Sequence, residues 1–259
     1  MNTISMFVDH QGIATITLNK PSTHNAFDEE MIAELNAAMK QLDKEDDVKV
    51  LLIKSNGRHF SAGADINWMK QVATYSQDKN IKEAAFLGEF FYKIYHFKKP
   101  TVAMVQGNTY GGGIGILACC QMVIASSDAK FCFSEVKLGL IPSLITPYII
   151  NAIGVRQARA YFLSAKLFDA ATALNLGLVH EVAPINELEN RTQDWINALL
   201  KNGPIAMNTV HNLLKPLESI PISPLVVTLT AEKIAQIRVS EEGQEGLSAF
   251  LEKRPPNWI

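Results

Sequence analysis

The stretch from Gln106 to Gly115 constrains the fold of this chain most, because five of its ten residues are glycines and an apolar segment follows directly. Glycine lacks a Cβ atom, so it lets the main chain approach a ligand closely and turn its N–H groups towards it. A helix predicted at the end of this run, through Ile116 to Cys119, would direct its positive dipole end to the same place. The run therefore predicts a site for an anion or an oxyanion.

Hydrophobic periodicity around this run predicts an α/β protein. Alternating residues predict a strand hairpin at 5–9 and 12–18, and apolar residues at helical spacing after the N-cap Asp28 predict a helix through about Leu42. The other predicted elements are strands at 48–53, 101–106, 122–125, 130–133 and 178–182, and helices at 79–96, from Gly154 onward, and between Asp169 and Gly177. Residues 55–65 and 139–148 are predicted to be irregular. Long irregular connections inside compact domains are usually functional.

Composition narrows the class of partner. The 259 residues are 47% hydrophobic, which is enough for one large core with an appendage. The formal charge of -2 and a pI near 6.3 lack the basic excess of a nucleic-acid surface, so we expect no nucleic-acid partner. No basic segment followed by an apolar one opens the chain, and no apolar run approaches ~20 residues. We therefore expect a cytoplasmic protein without a membrane partner.

The cysteines and histidines do not form a metal-binding pattern. Cys119, Cys120 and Cys132 lie in apolar contexts without the spacing of metal ligands, and are predicted to be small core residues. The six histidines are scattered along the chain, with no pair four residues apart on a predicted helix. We expect no metal site.

Five motifs occur in order along the chain. They are Asn25-Ala26-Phe27, the segment from Phe60 to Asp65, the glycine run, the segment from Ser134 to Pro142, and the segment from Glu245 to Arg254. With these motifs the chain resembles the crotonase superfamily, also called the enoyl-CoA hydratase/isomerase family, over essentially its whole length. Five ordered motifs are far more specific than one glycine-rich loop.

The resemblance implies a fold, a partner and an assembly. The fold would be α/β, with a crotonase-like spiral of ββα units in residues 1–187 that carries the acyl-CoA and catalytic site. Residues 188–259 would form a helical C-terminal region for oligomerisation, giving a homotrimer or a dimer of trimers. The small-molecule partner would be an acyl-CoA thioester, with coenzyme A as part of the substrate and no separate cofactor.

The resemblance also implies site residues. The main-chain N–H groups of Ala64 and Gly112 would hold the thioester oxygen. Chemistry beside a thioester passes through an enolate, whose oxygen needs preorganised donors, and losing one donor typically costs ~3–4 kcal/mol. Phe250 and Lys253 would reach the coenzyme A of a neighbouring subunit. The full set of positions that resemble coenzyme A or substrate contacts is His24, Ala26, Ala62, Ala64, Asp65, Ile66, Gly111, Gly112, Phe250 and Lys253.

Glu135 resembles one of the two catalytic glutamates of the family's hydratases, and Gly115 occupies the position of the other. Glu135 is a candidate general base for attack of water on the β-carbon, and its apolar neighbours are expected to raise its pKa. The second proton-transfer group is not supplied at position 115. Either Glu135 performs both proton transfers, or a water molecule or the substrate takes part.

Three functions stay open at this stage. A hydratase would add water across the α,β double bond, whereas a single glutamate also suits a Δ3,Δ2-enoyl-CoA isomerase. A non-catalytic acyl-CoA-binding protein is the alternative from another class. The segments from Gly57 to Met69, from Phe131 to Tyr148 and from Ile237 to Pro256 resemble bacterial 3-methylglutaconyl-CoA hydratases of leucine breakdown. That substrate carries its own carboxylate, so Gly115 could both make room for it and remove a like charge.

Overall fold

The computed structural model describes residues 2–217 and 220–259 of the chain. In chain order, the strands of this described part are β1 (Ile4–Val8), β2 (Ile13–Leu18), β3 (Val50–Ser55), β4 (Thr101–Val105), β5 (Asn108–Tyr110), β6 (Met122–Ser126), β7 (Lys130–Cys132), β8 (Phe168–Asp169) and β9 (Glu181–Ala183). Six of them form a sheet in the order β1-β2-β3-β4-β6-β9, which is parallel except for the antiparallel hairpin of β1 and β2. The second sheet has the order β5-β7-β8.

Helices connect these strands and follow them. They are α1 (Glu29–Leu42), α2 (Ile66–Val72), α3 (Gln77–Tyr95), α4 (Gly112–Cys119), α5 (Thr146–Ser164), α6 (Ala170–Leu176), α7 (Leu188–Leu200), α8 (Pro204–Leu217), α9 (Pro224–Arg238) and α10 (Glu241–Glu252). The predicted caps are confirmed, because Asp28 accepts a hydrogen bond from the Met31 N–H and Asp169 accepts one from the Thr172 N–H. With its mixed sheets and helices, the chain has the predicted α/β fold.

The larger sheet buries both of its faces, as a mainly parallel sheet must. Along β3, Leu51 and Ile53 point into the main core, while Val50 and Leu52 point to the opposite face. There they pack with Leu188 and Ile196 of α7. Thus α7 covers the sheet although it lies beyond residue 187, whereas α8, α9 and α10 contact one another. The division of the chain at residue 188 stays a prediction.

Several segments differ from the sequence prediction: the strand predicted at 178–182 is β9 at Glu181–Ala183, and α2 and β8 were not predicted. The glycine run contains β5, since Thr109 pairs with Phe131 of β7, and α4 begins within it at Gly112. The prediction that the helix begins near Gly154 is wrong, because α5 begins at Thr146 and Gly154 interrupts it with a φ of 76°. Proline is tolerated in the first turn of a helix, so Pro147 starts this helix instead of marking a loop.

The C-terminal helices leave many apolar side chains in solvent. Leu225 is 74% exposed, Phe250 81% and Leu251 78%. These helices are too polar or too short for a bilayer, and no helix of the described residues could span one. Apolar side chains exposed together mark an interaction surface.

Candidate active site

Two loops that are 46 to 49 residues apart in the sequence run side by side, one after the carboxyl end of β3 and the other after that of β4. Ser61 forms a parallel bridge with Thr109, in which the Ser61 N–H donates to the Asn108 carbonyl at 3.4 Å and the Tyr110 N–H donates to the Ser61 carbonyl at 2.9 Å. The His59 Nδ1 atom accepts from the Asn108 N–H at 3.0 Å. The glycine run and the 55–65 segment therefore form one continuous backbone unit.

Asn25 anchors this unit to the preceding turn. The residue is fully buried, and its side-chain amide donates to the carbonyls of Asn56 at 2.9 Å and His59 at 3.0 Å. The Ser61 hydroxyl donates in turn to the Asn25 carbonyl at 2.9 Å. Because a buried amide with satisfied hydrogen bonds admits one geometry, these bonds fix where the 61–65 loop lies.

The amide of Ala64 is left free by the pairing of its neighbours. Ala64 bridges Phe27 in parallel fashion, in which the Phe27 N–H donates to the Gly63 carbonyl at 2.7 Å and the Asp65 N–H donates to the Phe27 carbonyl at 2.8 Å. Such a bridge uses the groups on either side of Ala64 and not its own N–H. In the described part of the chain, this N–H donates to no backbone carbonyl.

The second free amide belongs to Gly112, the first residue of α4. The first N–H groups of a helix have no partner within the helix, and the dipole places partial positive charge there. Gly111 precedes it with a φ of 48° and a ψ of -120°, and its N–H donates to the Cys132 carbonyl at 3.2 Å. The sequence-predicted pair, Ala64 and Gly112, thus presents two available donors beside one cavity.

Glu135 lines the same cavity at the start of a 3-10 turn, Glu135–Leu138, that Gly139 ends. Burial raises the pKa of its carboxyl group, as predicted from its apolar flanks. A Cβ atom at position 111 would lie 2.9 Å from Glu135 Oε1, so the glycine is what lets this carboxylate approach the α4 N-terminus. Within the described residues, Glu135 Oε2 is buried and has no hydrogen-bond partner. It is therefore free to accept a proton from a ligand or water.

The position of the missing second glutamate is filled by neighbouring side chains. A Cβ atom at Gly115 would lie 2.3 Å from Ile145 Cγ2 and 2.9 Å from Phe91 Cε1. Both neighbours are buried, Ile145 with 3% and Phe91 with 0% exposure. The hypothesis that Gly115 makes room for a substrate carboxylate is therefore wrong, because Ile145 and Phe91 already occupy that space. What the glycine does achieve is to leave no ionisable group there.

The cavity has a volume of about 700 Å³ and brings together most of the predicted site residues. Those that line it are His24, Ala26, Ala62, Ala64, Asp65, Ile66, Gly111, Gly112 and Glu135. Gly115 lies beneath the lining rather than in it. Phe250 and Lys253, at the end of α10, are exposed and do not line the cavity of their own chain. Their contact with a neighbouring subunit stays a prediction.

The predicted coenzyme A contacts have defined conformations. His24 adopts a left-handed conformation with a φ of 53°, and its carbonyl accepts from the Ala62 N–H at 2.9 Å. Asp65 caps α2, with its carboxylate accepting from the N–H groups of Asn67 at 2.8 Å and Trp68 at 3.1 Å. Ile66 is 65% exposed at the mouth of the cavity. The Asp65 carboxylate is thus engaged in shaping the loop.

Sequence reasoning missed the apolar wall of the cavity. Leu87 and Phe91 lie one turn apart on α3, and Leu144 and Ile145 precede α5. The spacing of Leu87 and Phe91 shows a helical face, but periodicity does not distinguish a face that lines a cavity from one that packs in a core. The wall is completed by Trp68 and Met69 of α2, Leu138, Leu140, Ile141 and Pro142. It suits an acyl chain.

The arrangement can stabilise an oxyanion and move a proton. Two free amides lie beside the cavity where negative charge would develop, and one carboxylate with raised pKa faces the same space. The site is therefore equipped for acid–base chemistry next to a carbonyl group.

The three cysteines are buried and free of disulfides, as the sequence predicts for core residues.

Comparisons with known proteins agree with this chemistry. The sequence model of the enoyl-CoA hydratase/isomerase family matches residues 9–259. The solved structure of an enoyl-CoA hydratase from Shewanella pealeana has a TM-score of 0.95 and 43% identity, covering 99% of this chain and 96% of that chain. The short-chain-enoyl-CoA hydratase of Clostridium acetobutylicum is 28% identical, covering 93% of this chain and 92% of the relative. The 2,3-dehydroadipyl-CoA hydratase of Escherichia coli is 26% identical, covering 96% of this chain and 95% of the relative.

Proposed function

The chain belongs to the enoyl-CoA hydratase/isomerase family, and we propose that it adds water across the α,β double bond of an acyl-CoA thioester. The observation that carries this proposal is the placement of Glu135 Oε2, buried and without a partner in the described structure, in one cavity with the free amides of Ala64 and Gly112. An oxyanion site and a base beside the same acyl chain are what hydration needs.

Glu135 performs both proton transfers in this scheme. Its carboxylate takes a proton from water while the water oxygen bonds to the β-carbon, and the electrons of the double bond move to the thioester oxygen. The N–H groups of Ala64 and Gly112 hold that oxygen as an enolate. The Glu135 carboxylic acid then gives the proton to the α-carbon, so that the thioester and the carboxylate are restored and one water has been added. The reaction uses no cofactor besides the coenzyme A of the substrate.

The filled space at Gly115 supports a one-carboxylate mechanism. Of the carboxylates that line the cavity within the described residues, Asp65 is engaged in capping α2, which leaves Glu135. A raised pKa suits a group that must act first as a base and then as an acid near neutral pH. Removing such a group typically costs 10²–10⁴-fold in rate.

The variant Glu135→Gln tests the proposal. We expect it to retain binding of acyl-CoA esters and to lose about 10³-fold in hydration of crotonyl-CoA, followed by the loss of absorbance of the conjugated thioester. Glu189→Gln, a change at an exposed glutamate of α7, is the matched control and is expected to leave turnover unchanged. Near-normal turnover of Glu135→Gln would remove Glu135 from its role. Absence of turnover in the unaltered protein would favour an acyl-CoA-binding function.

Isomerisation is the second candidate, and the single carboxylate favours it. A Δ3,Δ2-enoyl-CoA isomerase needs one base that moves a proton from one carbon to another, with no water in the reaction. A β,γ-unsaturated acyl-CoA offered in D₂O separates the two reactions. Conversion to the α,β-unsaturated ester with proton retention, and no hydration of that ester, would identify an isomerase.

For the substrate we propose 3-methylglutaconyl-CoA, and hence a role in leucine catabolism. The support is the resemblance of the three segments quoted above and the Escherichia coli relative, which is named for a dehydroadipyl ester, an acyl chain derived from a dicarboxylic acid. A panel with crotonyl-CoA, 3-methylcrotonyl-CoA and 3-methylglutaconyl-CoA tests it. A kcat/KM that is highest for crotonyl-CoA would contradict this substrate while leaving the hydratase proposal in place.

For the assembly we propose a homotrimer or a dimer of trimers formed through the C-terminal helices. The exposed apolar side chains of α9 and α10, such as Leu225, Phe250 and Leu251, support it because such a surface is costly to leave in water. Light scattering measures the mass directly. A monomer at micromolar concentration would contradict this assembly.

A further inference from the structure

A residue that lines the cavity carries a second unpartnered polar atom besides Glu135 Oε2. Within the described residues, the indole Nε1 of Trp68 is buried and has no hydrogen-bond partner. Indole Nε1–H is a donor only, and a buried donor without an acceptor is rare in folded proteins. The one-carboxylate mechanism accounts for Glu135 and leaves Trp68 unexplained.

The backbone holds Trp68 in place at the cavity wall. It is the third residue of α2, and its N–H donates to the Asp65 carboxylate at 3.1 Å, which caps the helix. The indole packs against the main core and lines the cavity at the same time. Met69, the next residue, and Leu87 of α3 also line the cavity, and neither side chain offers an oxygen acceptor. Neither neighbour supplies the acceptor that the indole lacks, and a ligand in the cavity can supply it.

The described lining of the cavity lacks the basic side chains that usually bind a charged acceptor. Of the described residues that line it, none is a lysine or an arginine. An oxygen on the acyl chain beyond the double bond would therefore meet no lysine or arginine among the described residues that line the cavity. Trp68 Nε1–H is an unpartnered donor beside the apolar wall, and a hydrogen bond to a charged acceptor is about twice as strong as a neutral one.

We propose that Trp68 is a specificity-determining residue whose indole N–H donates to a carboxylate oxygen at the far end of the acyl chain. This inference rests on the proposed hydratase function and deepens it. The residue selects acyl-CoA esters that carry such an oxygen over esters of the same size that lack it. It takes no part in the proton transfers, which belong to Glu135.

The test is Trp68→Phe, which keeps an aromatic ring and removes the donor. The two substrates are 3-methylglutaconyl-CoA and 3-methylcrotonyl-CoA, which share the methyl-branched double bond and differ in the carboxylate. We expect kcat/KM to fall about tenfold or more for the first ester and less than twofold for the second, the loss appearing mainly in KM. Trp68→His, which retains a ring N–H, is expected to restore part of the preference.

Trp195→Phe is the matched control, because it removes an indole donor that bonds to Glu181 Oε2 at 2.8 Å and does not line the cavity, and we expect it to leave the preference between the two esters unchanged. Equal losses on both esters in Trp68→Phe would mean that the indole acts through packing alone, and unchanged values on both would mean that its N–H meets only water. Either result overturns the inference. So would an unaltered enzyme that prefers 3-methylcrotonyl-CoA. In each case, hydration of crotonyl-CoA that depends on Glu135 would leave the proposed function standing.

Discussion

Adding one methyl group at Gly115 tests whether neighbouring side chains fill the space beside this residue. In Gly115→Ala the new Cβ atom would lie 2.3 Å from Ile145 Cγ2 and 2.9 Å from Phe91 Cε1, both inside van der Waals contact. Neither neighbour can move into solvent, since both are buried. Overpacking of this kind costs ~1–3 kcal/mol. Because neither neighbour can move away, we expect a cost of ~2–3 kcal/mol here. Alanine regains ~1 kcal/mol over glycine inside a helix. We expect a net loss of ~1–2 kcal/mol in the free energy of unfolding.

A double-mutant cycle with Ile145→Ala identifies the cause. That change alone removes buried methyl groups and is expected to cost ~2–5 kcal/mol. It also removes the Cγ2 atom that obstructs position 115. In this background Gly115→Ala should therefore be neutral or stabilising by ~1 kcal/mol, so the two sites couple by ~1–3 kcal/mol.

Urea unfolding at one fixed protomer concentration is the assay, because an assembly links stability to concentration. Gly88→Ala is the control, since its Cβ would meet Leu144 Cδ2 at an ordinary 3.7 Å and the variant should gain ~1 kcal/mol from helix propensity. If Gly115→Ala were as stable as the unaltered protein, or if the cycle were additive, Ile145 would not occupy the place of the second glutamate.

Four further predictions concern the carboxylate, its glycine neighbour and the helical surface. Because burial raises the pKa of Glu135, kcat/KM should fall on acidification with a midpoint above 4.5, and a midpoint at or below that value would contradict the assignment of the base. The same shift means that the folded state holds this proton more tightly than the unfolded one, so its contribution to stability is present in acid and is lost as pH rises through the folded pKa. Glu135→Gln should therefore raise the urea midpoint at pH 8 and not at pH 4, and equal shifts at both would refute the linkage. Gly111→Ala places a Cβ atom 2.9 Å from Glu135 Oε1 on a backbone with φ 48°. We therefore expect at least tenfold lower kcat with coenzyme A binding retained. A normal kcat would show that the carboxylate tolerates displacement. Phe250→Glu places a charge on a residue that is 81% exposed and should reduce the mass seen by light scattering, whereas an unchanged mass would exclude this part of α10 from the interface.

Local patterns predicted the elements that depend on local physics. The helix after Asp28 and the helix between Asp169 and Gly177 begin and end where the capping residues lie, because a cap acts within one turn. The ordered motifs predict, through their family resemblance, that the glycine run and Glu135 belong to one site. The structure places both at one cavity.

The packing around individual residues near that site could not be predicted from the sequence. Gly115 and Ile145 are thirty residues apart. Only the packing of α4 against the start of α5 shows that the Ile145 side chain fills the space beside Gly115. Pro147 pointed to a loop in the sequence, whereas the fold uses it in the first turn of α5. Such errors arise because the energy that decides them comes from contacts between distant segments.

By itself, the sequence determined the α/β class and the helix caps, because both depend on residue type and short-range spacing. The oxyanion loop and the role of Glu135 as a base are predictions that depend on the family resemblance of the ordered motifs. Only the tertiary structure decided which amides are free, because the bridge between Ala64 and Phe27 joins segments that are distant in the chain. It likewise decided that Ile145 and Phe91 fill the space beside Gly115 and that, within the described residues, the Trp68 N–H is left without an acceptor. Free donors and filled spaces are properties of neighbours in space, and the order of residues along a chain does not specify those neighbours.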